Sequence, residues 1–425
     1  MHLTKSHCRS IAVSVATLAS AIALSFSATA LAQTSIQADT RQWRNANGDV
    51  GRYTRGHIDL LKAERGRVEI DSNLTLSAFK EDAAAPVLSE EAARKAVLML
   101  HADLLSGQAI SAPEKYARDS QLLSIQQSTQ KLWTEAVAAK EQLTIQQRIA
   151  EAASVSLELA KRMTKVGNWG RNRLVDIEIS YQSARSQLML AEQAAVNSHQ
   201  RLFAQIGSDQ WRLPKELPKP VALNALSELS TSPEQLLLEL LARHPHYALL
   251  NKEANYYERI VGNTVLEQWR QQLDGLVSAS PTWTNTIPTL NRTKIFWSHD
   301  LEKAIKARTE TRRLNAQIKS DLYQAHAQLR AAHSQATDIF SKLAQLHTSA
   351  EEEALMRYNG MFISTWDLIA KAQTKMQSEL AMAQAKQFFW IALVDMRAVL
   401  AGAPYAGPAG SVGNSASATP SSKGH

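Results

Sequence analysis

A regular pattern of apolar residues at alternating four- and three-residue steps runs through the second half of the chain. Its members are Ile318, Leu322, Ala325, Leu329, Ala332, Ala336, Ile339, Leu343 and Leu346. A period of about 3.5 residues is typical of a coiled-coil helix. A second seam follows the turn at 358–365, with members Ile369, Ala372, Met376, Leu380, Ala383, Trp390, Val394 and Ala398. Because the turn is short, the two patterns predict an antiparallel helical hairpin.

The first half of the chain repeats this order. A short helix is predicted over 89–105, and a long helix over 113–166 opens with Pro at its first position. The seam of the long helix contains Leu122, Ile125, Leu132, Ala136, Ala139, Leu143, Ala150, Ala153, Leu157 and Ala160. At about 1.5 Å per residue this helix is roughly 80 Å long, too long to be buried in a compact domain. A turn at 167–171 and a returning arm over 174–206, closed by Gly207, complete a first hairpin.

The predicted fold class is therefore mainly α, with two repeated long antiparallel coiled-coil hairpins and little β-structure. Only 16 Gly and 12 Pro in 425 residues agree with long helices. The predicted segments are an export signal over 1–32, an N-terminal extension over 33–87, a first hairpin repeat over 88–212, a Pro-containing linker over 213–231, a second hairpin repeat over 232–403 and a disordered tail over 404–425.

The N-terminus has the features of a secretory signal. Lys5 and Arg9 provide positive charge, residues 11–24 are apolar, and Ala30-Leu-Ala32 offers a cleavage site. The alternative, a single anchoring helix, is disfavoured because the run is short and rich in Ala and Ser. The chain is thus expected outside the cytoplasm, and its single cysteine, Cys8, lies within the predicted signal.

Charge and motifs exclude several classes of function. The net charge is +7, but basic residues alternate with acidic ones along the predicted helices, so a nucleic-acid partner is not expected. No phosphate-binding loop, zinc-protease motif or hydrolase elbow occurs in the sequence. The sequence therefore predicts neither an enzyme nor a bound cofactor.

Two sets of histidines need separate interpretation. His326, His333 and His347 are spaced by multiples of seven on the long helix, either as a row of metal-ion ligands or as a solvated stripe. The solvated stripe is the favoured interpretation, so no metal site is predicted. His244 and His246 bracket a proline at a predicted helix break, where a capping or structural role is expected.

The two turns are the predicted sites of partner contact. Their residues are Gly167, Asn168, Trp169 and Gly170 in the first turn, and Gly360, Met361, Phe362, Ile363, Ser364 and Thr365 in the second. One interpretation is purely local, since glycine accepts the left-handed conformation that ends helices. The other is docking, because a turn that faces only water has little use for apolar side chains.

These motifs, in this duplicated order, resemble the TolC-like outer membrane efflux protein family, most closely its divergent members in heavy-metal and copper resistance systems. The resemblance covers most of residues 40–403. It rests on Arg-Gly-His-Ile-Asp-Leu-Leu at 55–61, Gly-Asn-Trp at 167–169, Leu-Pro-Lys-Glu-Leu-Pro at 213–218 and Arg-Tyr-Asn-Gly-Met-Phe-Ile-Ser-Thr at 357–365.

The resemblance implies a homotrimer whose hairpins assemble into a long hollow α-barrel spanning the periplasm, with the chain at the outer membrane or its periplasmic face. It also implies that the hairpin tips dock a periplasmic adapter attached to an inner-membrane pump, and that the assembly is a passive export conduit, with heavy-metal ions as the cargo. The family places two membrane strands in each repeat. Here the first repeat has no room for strands between 105 and 113, and the second offers only 276–298.

Two alternatives stay open at the level of sequence. A periplasmic coiled-coil adapter is disfavoured because the β-domains that flank the hairpin of such proteins are missing from the pattern. A structural or interaction protein, derived from the same family but without conduction, is a serious alternative to the channel because of the shortage of strands.

Overall fold

The computed structural model describes residues 84–105, 111–208, 210–279, 297–405 and 407, and these residues are almost entirely helical. They belong to the second of two compact units, which begins at Leu61. The predicted export signal, most of the predicted N-terminal extension, the segment 280–296 and almost all of the predicted tail lie outside the described residues.

The first repeat contains α1 (Glu90–Leu100), α2 (Ala102–Leu105), α3 (Ala112–Lys165) and α4 (Arg171–Ile206). The start of α3 is fixed by Glu114, whose carboxylate accepts hydrogen bonds from the backbone N–H and the hydroxyl of Ser111, at 2.9 and 2.8 Å. With 54 residues, α3 is about 80 Å long. α4 ends at Gly207 in the left-handed conformation, with φ of 73°. The long hairpin predicted from the sequence is confirmed.

The linker contains a 3₁₀ turn (Leu223–Ala225) and α5 (Ser227–Ser230) near its end. The second repeat contains α6 (Pro233–Arg243), α7 (Pro245–Val261), α8 (Asn263–Ala279), α9 (His299–Ser334), a π-helical segment (Gln335–Phe340), α10 (Ser341–Asn359) and α11 (Thr365–Leu400). α8 continues through Gly275, since one helical glycine costs only about 1 kcal/mol.

The hairpin seam in the first repeat forms as its spacing predicts. Leu143, Ala150, Ala153 and Leu157 of α3 are buried against Tyr181, Ala184 and Leu188 of α4. Small residues in the seam allow the two helix axes to approach closely. The mainly α fold with paired long hairpins is therefore confirmed. In the described part of the chain, the single β-feature is an isolated bridge between Val87 and Arg212.

The long helices stand side by side in one row. α3 packs against α4 and also against α11, and α11 packs against both α9 and α10. The order is therefore α4, α3, α11 and then the α9–α10 rod, which consists of α9, the π-helical segment and α10. α4 forms one edge of the row. α10 forms the other edge, because α7 packs along α9. Within the described ranges, no helix has both the length and the apolar character that crossing a bilayer requires.

The seam predicted over 318–346 is correct only in its first part. Ile318, Leu322 and Leu329 are buried, and Ala336 is fully buried. The later members, Ile339, Leu343 and Leu346, are 55%, 37% and 58% exposed. The physical reason is the π-helical segment, whose wider turn adds one residue to the helix and rotates everything after it.

Candidate functional site

The first hairpin tip is a glycine turn. Gly167 has φ of +82°, a backbone conformation that favours glycine, and an added Cβ would meet nothing within 4 Å. The backbone N–H of Asn168 donates to the carbonyl of Met163 at 3.0 Å, which closes the last turn of α3. Gly170 is the residue before α4 and has an ordinary φ of −75°. The left-handed conformation expected at Gly167 is confirmed.

The second tip is built differently, and the left-handed glycine expected at position 360 was wrong. Gly360 has φ of −79°, while Met361 has φ of +60°. Gly360 leaves room for the Phe362 ring, because an added Cβ would lie 2.8 Å from two ring carbons of Phe362 and would displace the ring. The left-handed methionine costs about 1–2 kcal/mol, and strained backbone of this kind is often found at functional sites.

Tryptophan side chains join the two tips. The rings of Trp169 and Trp366 are 4.3 Å apart between centroids, and the Arg173 guanidinium lies 5.5 Å from the Trp169 ring. Trp169 is therefore half-buried in a contact between the hairpins. Sequence analysis missed Trp366, although a tryptophan in or next to each turn was a signal for such a pair. The contact holds both tips at the same level.

The exposed apolar surface lies on the second tip. Met361 is 71% exposed and Phe362 is 84% exposed. Ile363 and Thr365 are half-buried, while Asn168, Gly170 and Ser364 are exposed polar or small residues around them. Ser364 caps α11, since its hydroxyl accepts from the backbone N–H of Asp367 at 3.2 Å. A rigidly capped turn thus presents two large apolar side chains to its surroundings.

The two hairpins of one chain meet through polar contacts, here called the polar seam. Lys131 Nζ lies 2.5 Å from Asp395 Oδ1, and Arg148 lies 2.8 Å from Glu379. Between them, the side-chain amide of Gln142 donates to Gln387 at 2.9 Å, and Lys386 pairs with Glu141. Sequence analysis missed the polar seam, because most of these residues fall at positions that the apolar pattern assigns to solvent. Gln387 is the exception, since it interrupts the apolar seam between Ala383 and Trp390.

The linker crosses both hairpins at the polar seam. The backbone N–H of Leu217 donates to Glu141 Oε2 at 3.0 Å, and Lys140 donates to the carbonyl of Leu213 at 2.8 Å. On the second hairpin, the Trp390 indole N–H donates to the carbonyl of Pro218 at 2.9 Å. The linker therefore fixes the lateral position of one hairpin against the other.

The three histidines on the long helix have different surroundings. His333 is buried against Phe389, and its Nε2 is 2.9 Å from the carbonyl oxygen of Val221. His326 is half-buried, and burial lowers its pKa. His347 follows the π-helical segment and is half-buried. Among the described residues, no group of three or more His, Cys, Asp or Glu side chains is placed to hold a metal ion.

The capping role expected at the helix break is confirmed for His244. Its Nδ1 accepts the backbone N–H of Tyr247 at 3.2 Å, at the start of α7. The imidazole must be neutral at Nδ1 to accept this bond. Burial is the main cause that lowers the pKa of His244, and the nearby His246 lowers it further.

A row of long helices with both turns exposed at one end defines a double-hairpin helical protein.

No family model matches the chain, and no curated protein matches it. Twenty-three solved chains match by structure. The CmeC outer membrane channel of Campylobacter jejuni is 16% identical with a TM-score of 0.43, and the match covers 70% of this chain but only 66% of that chain, just under two thirds of its length.

Two further matches cover more of the solved chain. The MtrE outer membrane channel of Neisseria gonorrhoeae is 16% identical with a TM-score of 0.42, over 84% of this chain and 85% of that chain. CusC, in structures that concern folding and transmembrane channel formation, is 12% identical with a TM-score of 0.47, over 74% of this chain and 92% of that chain. These identities and TM-scores are too low to transfer a function to this chain.

Proposed function

We propose that this chain is the outer-membrane channel component of a three-part efflux system. Three copies close into a tube at the periplasmic face of the outer membrane, and the tube conducts passively. Its hairpin tips dock a periplasmic adapter that is attached to an inner-membrane pump. The observation that supports this most directly is the row of long helices with both tips exposed at one end.

The row has two different edges, which favours closure by repetition. The α4 edge of one copy can meet the α10 edge of the next in a head-to-tail contact. Such contacts generate closed rings when the rotation between copies closes. Both edges carry exposed apolar side chains, including Ile179 and Met189 on one and Leu346 on the other. A protein that remained alone would leave these residues in water.

The tips support the docking part of the proposal. Phe362 and Met361 are the most exposed apolar residues of the turn, and they contribute little to the packing of their own hairpin. The Trp169–Trp366 contact keeps the first tip beside them. A partner hairpin would therefore meet one continuous surface made by both turns. Heavy-metal ions as the cargo are proposed from the sequence resemblance alone.

A charge at the tip tests the docking claim. Phe362→Asp places a carboxylate on a side chain that is 84% exposed, so folding and assembly should be unchanged. Leu238→Asp is the matched control, because Leu238 on α6 is 70% exposed and lies far from the tips. Each variant is expressed in a strain that lacks the chain, and growth is measured in toxic metal salts and in other toxic compounds.

We expect Phe362→Asp to be as sensitive as the strain without the chain, and Leu238→Asp to be as resistant as wild type, with equal amounts of protein in the outer membrane. Wild-type resistance in Phe362→Asp would remove the docking claim. Conductance of the purified wild-type protein in planar bilayers tests the conduit itself. A purified protein without any conductance would support the structural alternative instead.

A further inference from the structure

The α9–α10 rod contains a conflict between its sequence pattern and its packing. Apolar residues continue at four- and three-residue steps through the π-helical segment Gln335–Phe340 without a Pro or Gly. A regular α-helix would therefore carry Ile339, Leu343 and Leu346 on the same face as Leu329 and Ala336, toward α11. In the folded chain these three large side chains are outside instead.

A less apolar set takes their place. After the π-helical segment the pattern of buried and half-buried residues recurs one position later and includes Phe340, Ala344, His347, Glu351, Ala354 and Tyr358. Glu351 is tied to α11 by Lys375, with 2.7 Å between Nζ and Oε2. One extra residue in the helix corresponds to a rotation of about 100°, which is the difference between the two sets.

The outer set is defined here as the α10 edge row: Ile339, Leu343 and Leu346. In a single copy, the fold thus exposes branched apolar residues while burying a histidine and a glutamate in part. Natural sequences seldom keep such a disagreement between local pattern and packing unless another requirement favours it. Π-helical turns inside α-helices also occur frequently at functional positions.

We infer that the π-helical segment is a one-residue register shift that turns the α10 edge row outward, where α4 of a second copy of this chain covers it. The inference rests on the proposed function, because it requires copies placed side by side. It goes further by assigning the residues of the contact and the element that exposes them.

Height along the hairpins supports a second copy as the occupant. The Trp169–Trp366 contact sets both tips level, so distance from the tip can be compared between edges. Met189 lies about 28 Å from the first turn along α4, and Leu343 lies about 26 Å from the second turn along α10. Closer to the tips, Val175 and Met356 lie at about 8 and 6 Å. The residues of both pairs are exposed.

Disulfide cross-linking tests the contact. In a background that carries Cys8→Ser, the double variant Met189→Cys with Leu343→Cys is oxidised in the outer membrane and run on a denaturing gel without reductant. The control combines Met189→Cys with Ala344→Cys, since Ala344 is the next residue but belongs to the inner set. We expect dimer and trimer bands from the first variant and monomer from the control.

Deletions test the register shift itself. Removing Asp338 takes one residue from the π-helical segment, and a regular helix then continues from Ala336 to Phe340 and Ala344 with both rows unchanged. Removing Gln345, an exposed residue of regular α-helix, rotates the rest of α10 by about 100°. We expect the Asp338 deletion to keep the wild-type unfolding midpoint and assembly, and the Gln345 deletion to lose both.

The outcomes separate the two proposals. If the wild type is a trimer but Met189→Cys with Leu343→Cys stays monomeric, the assigned contact is wrong and the channel proposal stands. If the wild type is a monomer in every extract, the channel proposal fails, and the assigned contact with a second copy fails as well. Equal damage from the two deletions would refute the register shift in either case.

Discussion

Replacing Lys386 by methionine should destabilise the contact between the two hairpins more than the loss of a surface ion pair would. Lys386 on α11 and Glu141 on α3 are paired with side chains only 10% and 11% exposed. The variant keeps most of the length and apolar character of the side chain but removes its charge. Glu141 then loses its hydrogen bond to Lys386 and keeps the one from the backbone N–H of Leu217, at 3.0 Å.

The magnitude follows from the cost of an unpaired buried charge. Breaking a buried ion pair by removing one partner costs about 3–5 kcal/mol, whereas replacing both partners by neutral residues is often nearly neutral. Glu141→Gln with Lys386→Met leaves an amide oxygen for the Leu217 N–H and no buried charge. We expect the single Lys386→Met variant to lose about 3 kcal/mol and the double variant to lose about 1 kcal/mol.

Urea unfolding followed by circular dichroism measures both variants. Lys375→Met is the matched control, because Lys375 pairs with Glu351 inside the second hairpin with side chains 24% and 31% exposed. This more hydrated pair should be worth no more than about 1 kcal/mol. A Lys386→Met variant as stable as Lys375→Met would show that water reaches Glu141, and the tight contact between hairpins would be refuted.

Four further changes follow from the turns and the caps. Gly167→Ala should cost about 1 kcal/mol in urea unfolding, because its φ is +82°. Gly360→Ala should leave stability within about 0.5 kcal/mol but displace the Phe362 ring and reduce resistance. Met361→Gly should stabilise by roughly 0.5–1 kcal/mol through relief of its left-handed backbone. His244 has a lowered pKa in the folded state, so the unfolded chain binds a proton there at a higher pH than the folded chain does. The free energy of unfolding should therefore decrease as the pH falls below about 6.5. His244→Asn should keep the helix cap and make the free energy of unfolding depend less on pH.

The hairpins could be predicted from sequence because their seams are regular. Leu143 and Leu157 of α3 keep the four- and three-residue spacing, and small residues between them leave the pattern easy to read. The turn at Gly167 was also predictable, since the apolar pattern stops on both sides of it. In these places local preference and packing favour the same structure.

The errors have physical causes that a pattern does not contain. The π-helical segment adds one residue without a Pro or Gly to mark it, so the seam beyond Ala336 was assigned to the wrong side. At the second turn, the left-handed backbone lies at Met361 and not at Gly360, and the ring of Phe362 lies against Gly360. Local sequence rules assign that conformation to glycine, so the pattern places it one residue too early.

The polar seam and the histidines show a further limit. Lys131 and Asp395 are far apart in sequence, and polar residues on a helix are normally assigned to solvent. Only the packing of one hairpin on the other makes them partners. His333 was spaced regularly with two other histidines, yet its ring packs on Phe389, because the position is buried on the α11 side.

Sedimentation equilibrium of the full-length protein, extracted from the outer membrane in detergent with the detergent contribution matched out, tests the central claim most directly. The proposed tube requires that the two edges of the helical row be covered by neighbouring copies, so the account predicts a mass of three chains. A mass of one chain at every protein concentration would contradict it.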